Sequence, residues 1–196
     1  MAERYVITLG RECGAGATYI AQHLSKELGI PYYDKDIFRM VSDKSGVLEE
    51  FFHVNSERPG NNLLYKLVKD LKPADQKPSL GKDIVSPDNL FRFQSELIRE
   101  LADNESCIII GRCADYVLKD HDNCIHVFVC GDMDSKVQRM MHSYSLEESA
   151  AVERIKETDK QRKKYYSYYT GGDWEAASNY DLCLNTGDMT IEEAAE

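Results

Sequence analysis

The chain has 196 residues, of which 42% are hydrophobic and 30% charged, a balance typical of a globular domain rather than a disordered chain. Its net charge of −10 argues against a protein that coats nucleic acid through a basic face, although a few local arginines suffice for a small phosphorylated ligand. No apolar run approaches the ~20 residues that cross a bilayer, and no signal-peptide core precedes the first predicted strand. We therefore expect a cytoplasmic protein that binds neither membranes nor nucleic acid.

The cysteines are scattered along the chain without a C-x-x-C pair. Most lie in or beside apolar runs, where cysteine behaves as a small hydrophobic residue. We expect neither a disulfide framework nor a structural zinc site. The cysteines are Cys13, Cys107, Cys113, Cys124, Cys130 and Cys183.

The first predicted elements are a buried strand, a glycine-rich turn and a helix that begins near Ala17 and ends at Gly29. Gly10, Gly14 and Gly16 let the backbone turn sharply and approach a ligand closely. A helix N-terminus after such a turn presents free N–H groups and the positive end of its dipole to an anion. The pattern is that of a phosphate-binding loop, but it also occurs in strand-to-helix turns that bind nothing.

The turn departs from the usual phosphate-loop pattern, G-x-x-x-x-G-K-[ST]. If Gly16 is the second glycine and Thr18 the hydroxyl residue, Arg11 stands at the first glycine position and Ala17 at the lysine position. The lysine that normally reaches the β- and γ-phosphates is therefore missing. Arg11 could replace it from the same loop, or it could instead pair with Glu12.

A short second strand ends at Asp34, and a helix is predicted over 35–45. Asp34 is placed either to bind a substrate hydroxyl or a metal-bound water, or to cap the following helix, and the two roles are compatible. Residues 36–96 are predicted to form a helical flap with no core of its own. It would include a short helix over 61–71, a polar stretch over 73–81, and a helix that begins at Ser86-Pro87.

Three further strands are predicted over 105–111, 124–130 and 180–186, separated by helices over 132–142 and 145–168, and Thr190 is predicted to cap a final helix. Strands that alternate with helices predict an α/β three-layer sandwich with a five-stranded parallel sheet. Such sheets bind ligands at the carboxyl ends of their strands, where the glycine-rich turn, Asp34 and Arg112 all fall.

The tyrosines at 165, 166, 168 and 169 come near the end of the long charged helix. Aromatic rings in this position could stack on a nucleobase. More often they pack where a helix meets the core, and we favour that interpretation.

Taken together, these residues resemble the cytidylate kinase-like family, over nearly the whole chain and in the same order. The motifs are 7–16 (ITLGRECGAG), 31–35 (PYYDK), 110–115 (IGRCAD), 158–166 (TDKQRKKYY), Trp174 and 178–186 (SNYDLCLNT). The resemblance implies the nucleoside monophosphate kinase fold of the P-loop superfamily in a single domain. Its core would comprise 1–35, 97–145 and 178–196, with an acceptor-binding flap over 36–96 and a lid over 146–177.

The resemblance also implies site residues, grouped here by role. The ATP phosphates would be bound by Arg11, Gly14, Ala15, Gly16, Ala17 and Thr18, with Thr18 also placed for Mg²⁺. The acceptor would be bound by Asp34, Arg39 and Arg112, and the lid would contribute Arg154, Asp159 and Arg162. The catalytic residues would be Arg11, Asp34, Arg112 and Arg162.

The implied reaction is transfer of the ATP γ-phosphoryl group to a nucleoside monophosphate, with CMP or dCMP the first acceptor, by a monomer or homodimer that uses Mg²⁺. The missing lysine keeps a second hypothesis open, a nucleotide-binding regulatory protein that has lost catalysis. A third is a kinase of another small acceptor.

Overall fold

Five parallel strands form the sheet in the computed structural model, which describes residues 4–55 and 86–196. They are β1 Val6–Arg11, β2 Tyr32–Tyr33, β3 Cys107–Ile110, β4 Cys124–Cys130 and β5 Leu182–Asn185. The strand order is β2-β3-β1-β4-β5, so β1 lies at the centre with β3 and β4 as its neighbours. The predicted five-stranded parallel sheet is confirmed.

Helices cover both faces of this sheet. They are α1 Ala17–Leu28, α2 Asp36–Ser45, α3 Glu49–Asn55, α4 Pro87–Asn104, α5 Ala114–Val117, α6 Met133–Tyr144, α7 Glu148–Thr170 and α8 Ile191–Ala195, with a 3₁₀ turn at Ala177–Asn179. The predicted helix over 61–71 and the polar stretch over 73–81 lie outside the described residues. Within the described ranges, no helix is both long enough and apolar enough to cross a membrane.

Local sequence signals set several helix ends. The hydroxyl of Ser86 accepts a hydrogen bond from the Asn89 amide at 3.3 Å, with Pro87 in the first helical position of α4. Gly29 and Gly171 end α1 and α7 in the left-handed conformation, with φ of 66° and 69°. Thr190 caps α8 through a reciprocal pair of bonds with Glu193. These predicted boundaries are confirmed.

The core has two main halves, because neighbouring residues of each strand point to opposite faces of the sheet. On one face, Val6 and Ile109 pack with buried residues of α2, α3, α4 and α5. On the other face, Leu9 and Ile110 pack with α1 and α8. Phe38 and Phe52, from the segment predicted to be a flap, belong to the first of these cores. The division into core, flap and lid stays a prediction.

The end of α7 is held by an aromatic cluster. Tyr165 and Tyr166 are buried with Phe128 and Trp174, and the ring of Trp174 meets that of Phe128 edge-on at 5.3 Å between centroids. Such pairs stabilise a core beyond the area that they bury. The prediction that the tyrosines of this segment pack where the helix meets the core is confirmed for Tyr165, Tyr166 and Tyr169, whereas Tyr168 is 60% exposed.

Candidate active site

A cleft of about 640 Å³ opens at the carboxyl ends of β1, β2 and β3 and is closed on one side by α6 and α7. This is the edge at which a parallel sheet is expected to bind its ligand. Most of the site residues predicted from the sequence line the cleft: Arg11, Gly14, Gly16, Ala17, Thr18, Asp34, Arg112, Arg154 and Arg162. Ala15, Arg39 and Asp159 are not among the lining residues.

The turn between β1 and α1 has a shape that only glycine allows at two positions. Gly14 and Gly16 have φ of 81° and 89°, in the region that side chains avoid. A Cβ on Gly14 would lie 2.9 Å from the Lys136 carbonyl oxygen, and one on Gly16 would lie 2.6 Å from Ile191 Cδ1. Gly16 is the N-cap of α1, so the N-terminus of that helix is exposed at the cleft.

The residues after Gly14 divide between the core and the cleft. Ala15 is fully buried, and its carbonyl oxygen accepts a hydrogen bond from Thr186 Oγ1 at 2.9 Å. The methyl group of Ala17 is buried in the core under α1, whereas Thr18 is exposed at the cleft. Of these three, Thr18 is therefore the residue that presents a functional side-chain group to a ligand.

Arg11 lies across the gap between the ends of β1 and β3. Its guanidinium rests directly on Gly111, where any side chain would clash with it. The carboxylate of Glu12 is engaged elsewhere, by Lys136 Nζ at 2.8 Å and by the Gly131 amide at 3.1 Å. Arg11 thus brings a cation into the cleft from the position where the usual loop has glycine.

Arg112 and Asp34 meet on the opposite side of the cleft. Arg112 is 7% exposed with φ of 62°, and its guanidinium stacks on the Phe38 ring at 3.9 Å. Its Nη2 lies 3.9 Å from Asp34 Oδ1. The residue at the N-cap of α2 is Lys35, which makes no side-chain cap bond, so the alternative in which Asp34 caps this helix is wrong.

Arg39 does not join this group. It is exposed on α2 and lies outside the cleft lining, whereas its neighbour Phe38 points inward against Arg112. Successive residues of a helix are turned by about 100°, so Phe38 and Arg39 leave α2 in different directions. The structure therefore gives no support to Arg39 as an acceptor-binding residue.

The long helix α7 is bonded to the glycine-rich turn and the end of β1. Asp159 Oδ1 accepts a hydrogen bond from the Cys13 amide at 2.6 Å, and Arg162 Nη1 donates to the Arg11 carbonyl at 3.2 Å. The two α7 side chains are 3.8 Å apart. Burial raises the pKa of Asp159 to about 6. Asp159 thus holds the loop from behind rather than facing the cleft.

Two basic residues of α6 were not predicted as site residues. Arg139 lines the cleft and donates to Gly14 O at 3.4 Å, to Thr186 Oγ1 at 3.1 Å and to the Thr186 carbonyl. Lys136, one turn earlier, is 6% exposed and pairs with Glu12. The available signal was their spacing of three residues, which places two cations on one side of a helix that follows a central strand.

Arg154 is the remaining lid residue in the cleft. Its guanidinium lies over the Tyr144 ring at 4.4 Å, where α6 ends. Across residues 4–55 and 86–196, no three or more His, Cys, Asp or Glu side chains are grouped to hold a metal ion. A divalent cation here would therefore depend on hydroxyl, water and phosphate oxygens as well as on individual carboxylates of the lining, which include Glu12, Asp34 and Asp36.

Comparison with known proteins gives a consistent result. The model of the cytidylate kinase-like family matches residues 6–188. A cytidylate kinase from Thermococcus kodakarensis is 26% identical over 183 residues, covering 92% of this chain and 79% of that protein. An uncharacterized protein from Eubacterium ventriosum has a crystal structure with a TM-score of 0.69 and 27% identity, covering 98% of this chain and 94% of that chain. A shikimate kinase from Bacteroides thetaiotaomicron, with a TM-score of 0.53, 14% identity and coverage of 97% and 94%, shares the fold alone.

Proposed function

The chain belongs to the cytidylate kinase-like family, and we propose that it transfers the γ-phosphoryl group of ATP to a nucleoside monophosphate, with CMP or dCMP as the preferred acceptor. Membership of this family and the kinase fold support a kinase of a nucleotide or other small molecule. CMP is the first acceptor to test because the relative from Thermococcus kodakarensis, at 26% identity, is a cytidylate kinase.

The observation that carries the proposal is the gathering of arginines in one cleft of an acidic protein. The arginines that line it are Arg11, Arg112, Arg139, Arg154 and Arg162. They come from β1, from the turn after β3, from α6 and from α7, in a chain whose net charge is −10. Such a local concentration of positive charge favours a ligand with several phosphates.

The proposed roles follow from where each group lies. The turn with Gly14 and Gly16 forms the donor side, where backbone N–H groups and the α1 N-terminus would hold the ATP phosphates, and Arg11 would supply the charge of the missing lysine. Asp34 and Arg112 form the acceptor side. Arg162, bonded to the loop, would stabilise charge on the transferring group. Phosphoryl transfer depends mostly on such positioning and charge stabilisation.

Mg²⁺ fits the oxygen donors available. Thr18 offers a hydroxyl in the cleft and Asp34 a carboxylate, and Mg²⁺ usually combines few protein oxygens with water and phosphate oxygens. Thr18 would hold the ion directly and Asp34 through water. When bound, the ion would neutralise charge on the phosphates of ATP.

One observation favours a second candidate function, a nucleotide-binding regulatory protein. Position 17 carries a buried methyl group in place of a lysine ammonium, which removes a charge that such loops use for catalysis. The two functions predict different results in one assay. ADP release from Mg-ATP would be measured against a panel of nucleoside monophosphates, with ATP binding measured by calorimetry alongside. Turnover with CMP or dCMP supports the kinase, and ATP binding without turnover supports the regulatory protein. The absence of both ATP binding and turnover would contradict both functions.

A further inference from the structure

The phosphate loop carries a negative charge of its own. Glu12 lines the proposed phosphate-binding cleft, and its side chain is 20% exposed. A carboxylate in this position repels the phosphates of ATP, and the repulsion is strong because the surroundings are partly buried. A loop that binds ATP therefore needs a group that neutralises Glu12.

Lys136 is that group. Its Nζ lies 2.8 Å from Glu12 Oε2, and its side chain is 7% exposed. The backbone and Cβ of Lys136 pack directly under Gly14, so α6 holds the ammonium behind the loop. Lys136 is not among the residues that line the cleft, and its charge is therefore directed at Glu12 rather than at a ligand.

The surrounding charges are balanced. Asp159 Oδ2 lies 4.0 Å from Lys136 Nζ, and Arg162 Nη1 lies 3.8 Å from Asp159 Oδ1. Two carboxylates and two cations thus form a neutral group around the loop, with Glu12 and Arg162 at the cleft and Lys136 and Asp159 outside its lining. Removal of Lys136 alone would take away the ammonium that pairs with Glu12 at 2.8 Å, and the group would carry an excess negative charge.

We propose that Lys136 is a positioning residue for the donor nucleotide, which neutralises Glu12 and holds it away from the ATP phosphates through the ion pair. This inference rests on the proposed function, because it assumes that the cleft binds ATP. The competing explanation is that Lys136 only packs α6 against the loop. The two differ in what happens when Glu12 is also changed, since a purely packing role does not depend on the charge of Glu12.

The test is a double-mutant cycle on ATP binding, measured by calorimetry without an acceptor. Lys136→Met should weaken ATP binding about 10- to 100-fold, the effect of one uncompensated charge roughly 6–12 Å away at an effective dielectric constant of ~20. Glu12→Gln should bind ATP at least as tightly as the wild type, because it leaves Lys136 as an excess cation. The double variant should recover most of the binding lost in Lys136→Met. Lys119→Met, which removes an exposed lysine, is the matched control and should bind like the wild type.

Kinetics sharpen the assignment to the donor side. In Lys136→Met, the KM for ATP should rise by about the same factor as the dissociation constant, and the KM for CMP should change less than about twofold. An equal rise in both constants would indicate a general loss of structure and would overturn the inference.

The remaining outcomes also decide between the proposals. Wild-type binding by Lys136→Met, or a double variant as weak as Lys136→Met, overturns the positioning role. Weaker binding by Glu12→Gln overturns it independently of whether Lys136→Met folds. If the wild type itself does not bind ATP, the proposed function fails and this inference fails with it.

Discussion

The two sides of the cleft are built differently. The donor side is held from several directions: Gly14 packs on α6, Thr186 bonds to Ala15, and Asp159 of α7 bonds to Cys13. On the proposed acceptor side, Arg112 stacks on Phe38 of α2, lies 3.9 Å from Asp34 and accepts a hydrogen bond at its carbonyl oxygen from Gln94 of α4. Partners from several elements pre-organise a site. The difference between the two sides is therefore in which elements support them: α6, α7 and the end of β5 on the donor side, and α2, α4 and the end of β2 on the acceptor side.

The largest expected effect is a loss of turnover when the arginine that α7 brings to the donor side is removed. Arg162→Ala should lower kcat by about 10³-fold or more, the size of a charge-stabilising arginine in phosphoryl transfer. Lys163→Ala is the control on the same helix, because Lys163 pairs with Asp173 and Glu175 at the surface. Steady-state rates with Mg-ATP and CMP check the pair. Equal rates for the two variants would mean that α7 contributes only structure.

The next largest expected effect is a loss of turnover when Arg11 is replaced, which tests whether Arg11 takes the place of the missing lysine. Arg11→Ala should lower turnover at least ~100-fold, because a donor that stabilises developing charge is lost. Arg11→Lys should recover part of that loss, since it keeps the charge without the fork geometry. Single-turnover rates with saturating ATP measure both variants. Unchanged turnover in Arg11→Ala would remove Arg11 from the mechanism.

A smaller effect is expected when Arg112 on the acceptor side is replaced, and it should be confined to the KM for the acceptor. Arg112→Ala should raise the KM for CMP about 10- to 100-fold, through loss of a charge-assisted hydrogen bond, and leave the KM for ATP nearly unchanged. Arg39→Ala is the matched control from the exposed side of α2 and should change neither constant by more than about twofold. A strong effect of Arg39→Ala on the KM for CMP would restore it to the site.

The smallest effect concerns the pH dependence of stability. Burial raises the pKa of Asp159 from 3.8 to about 6, so the folded protein binds more protons than the unfolded chain across that interval. Stability from this group is therefore complete below about pH 4 and is lost as the pH rises to about 6, on the order of 1 kcal/mol per unit. Urea unfolding without nucleotide should show this slope in the wild type relative to Asp159→Asn, which does not titrate. Parallel stability curves for the two proteins would contradict it.

The sequence predicts the parts of this molecule that depend on local patterns. Buried strands such as β3 are continuous apolar runs, and the turns with Gly16 and Arg112 follow strands whose ends must meet at one edge of a sheet. The role of Arg39 stays a prediction: the phase of α2 places Phe38 against Arg112, and Arg39 is exposed outside the cleft lining.

The side chains that contact the glycine-rich loop from α6 and α7 could not be predicted from local sequence patterns. Lys136 pairs with Glu12 across 124 positions, and Asp159 bonds to Cys13 across 146. No periodicity or motif specifies such pairs, because they arise only when α6 and α7 pack against the end of β1. From the sequence alone, a lysine on a helix is expected to be exposed, so no pattern marks this one as buried.

The anchoring of α7 has a spectroscopic consequence. Its last turns are fixed in the aromatic cluster at Tyr165 and Tyr166, and its first turns pack through Ala151 and Ile155 against α6. The aromatic cluster also holds Trp174, the one tryptophan of the chain. The fluorescence of Trp174 therefore reports, without any label, on any change in the packing at the end of α7.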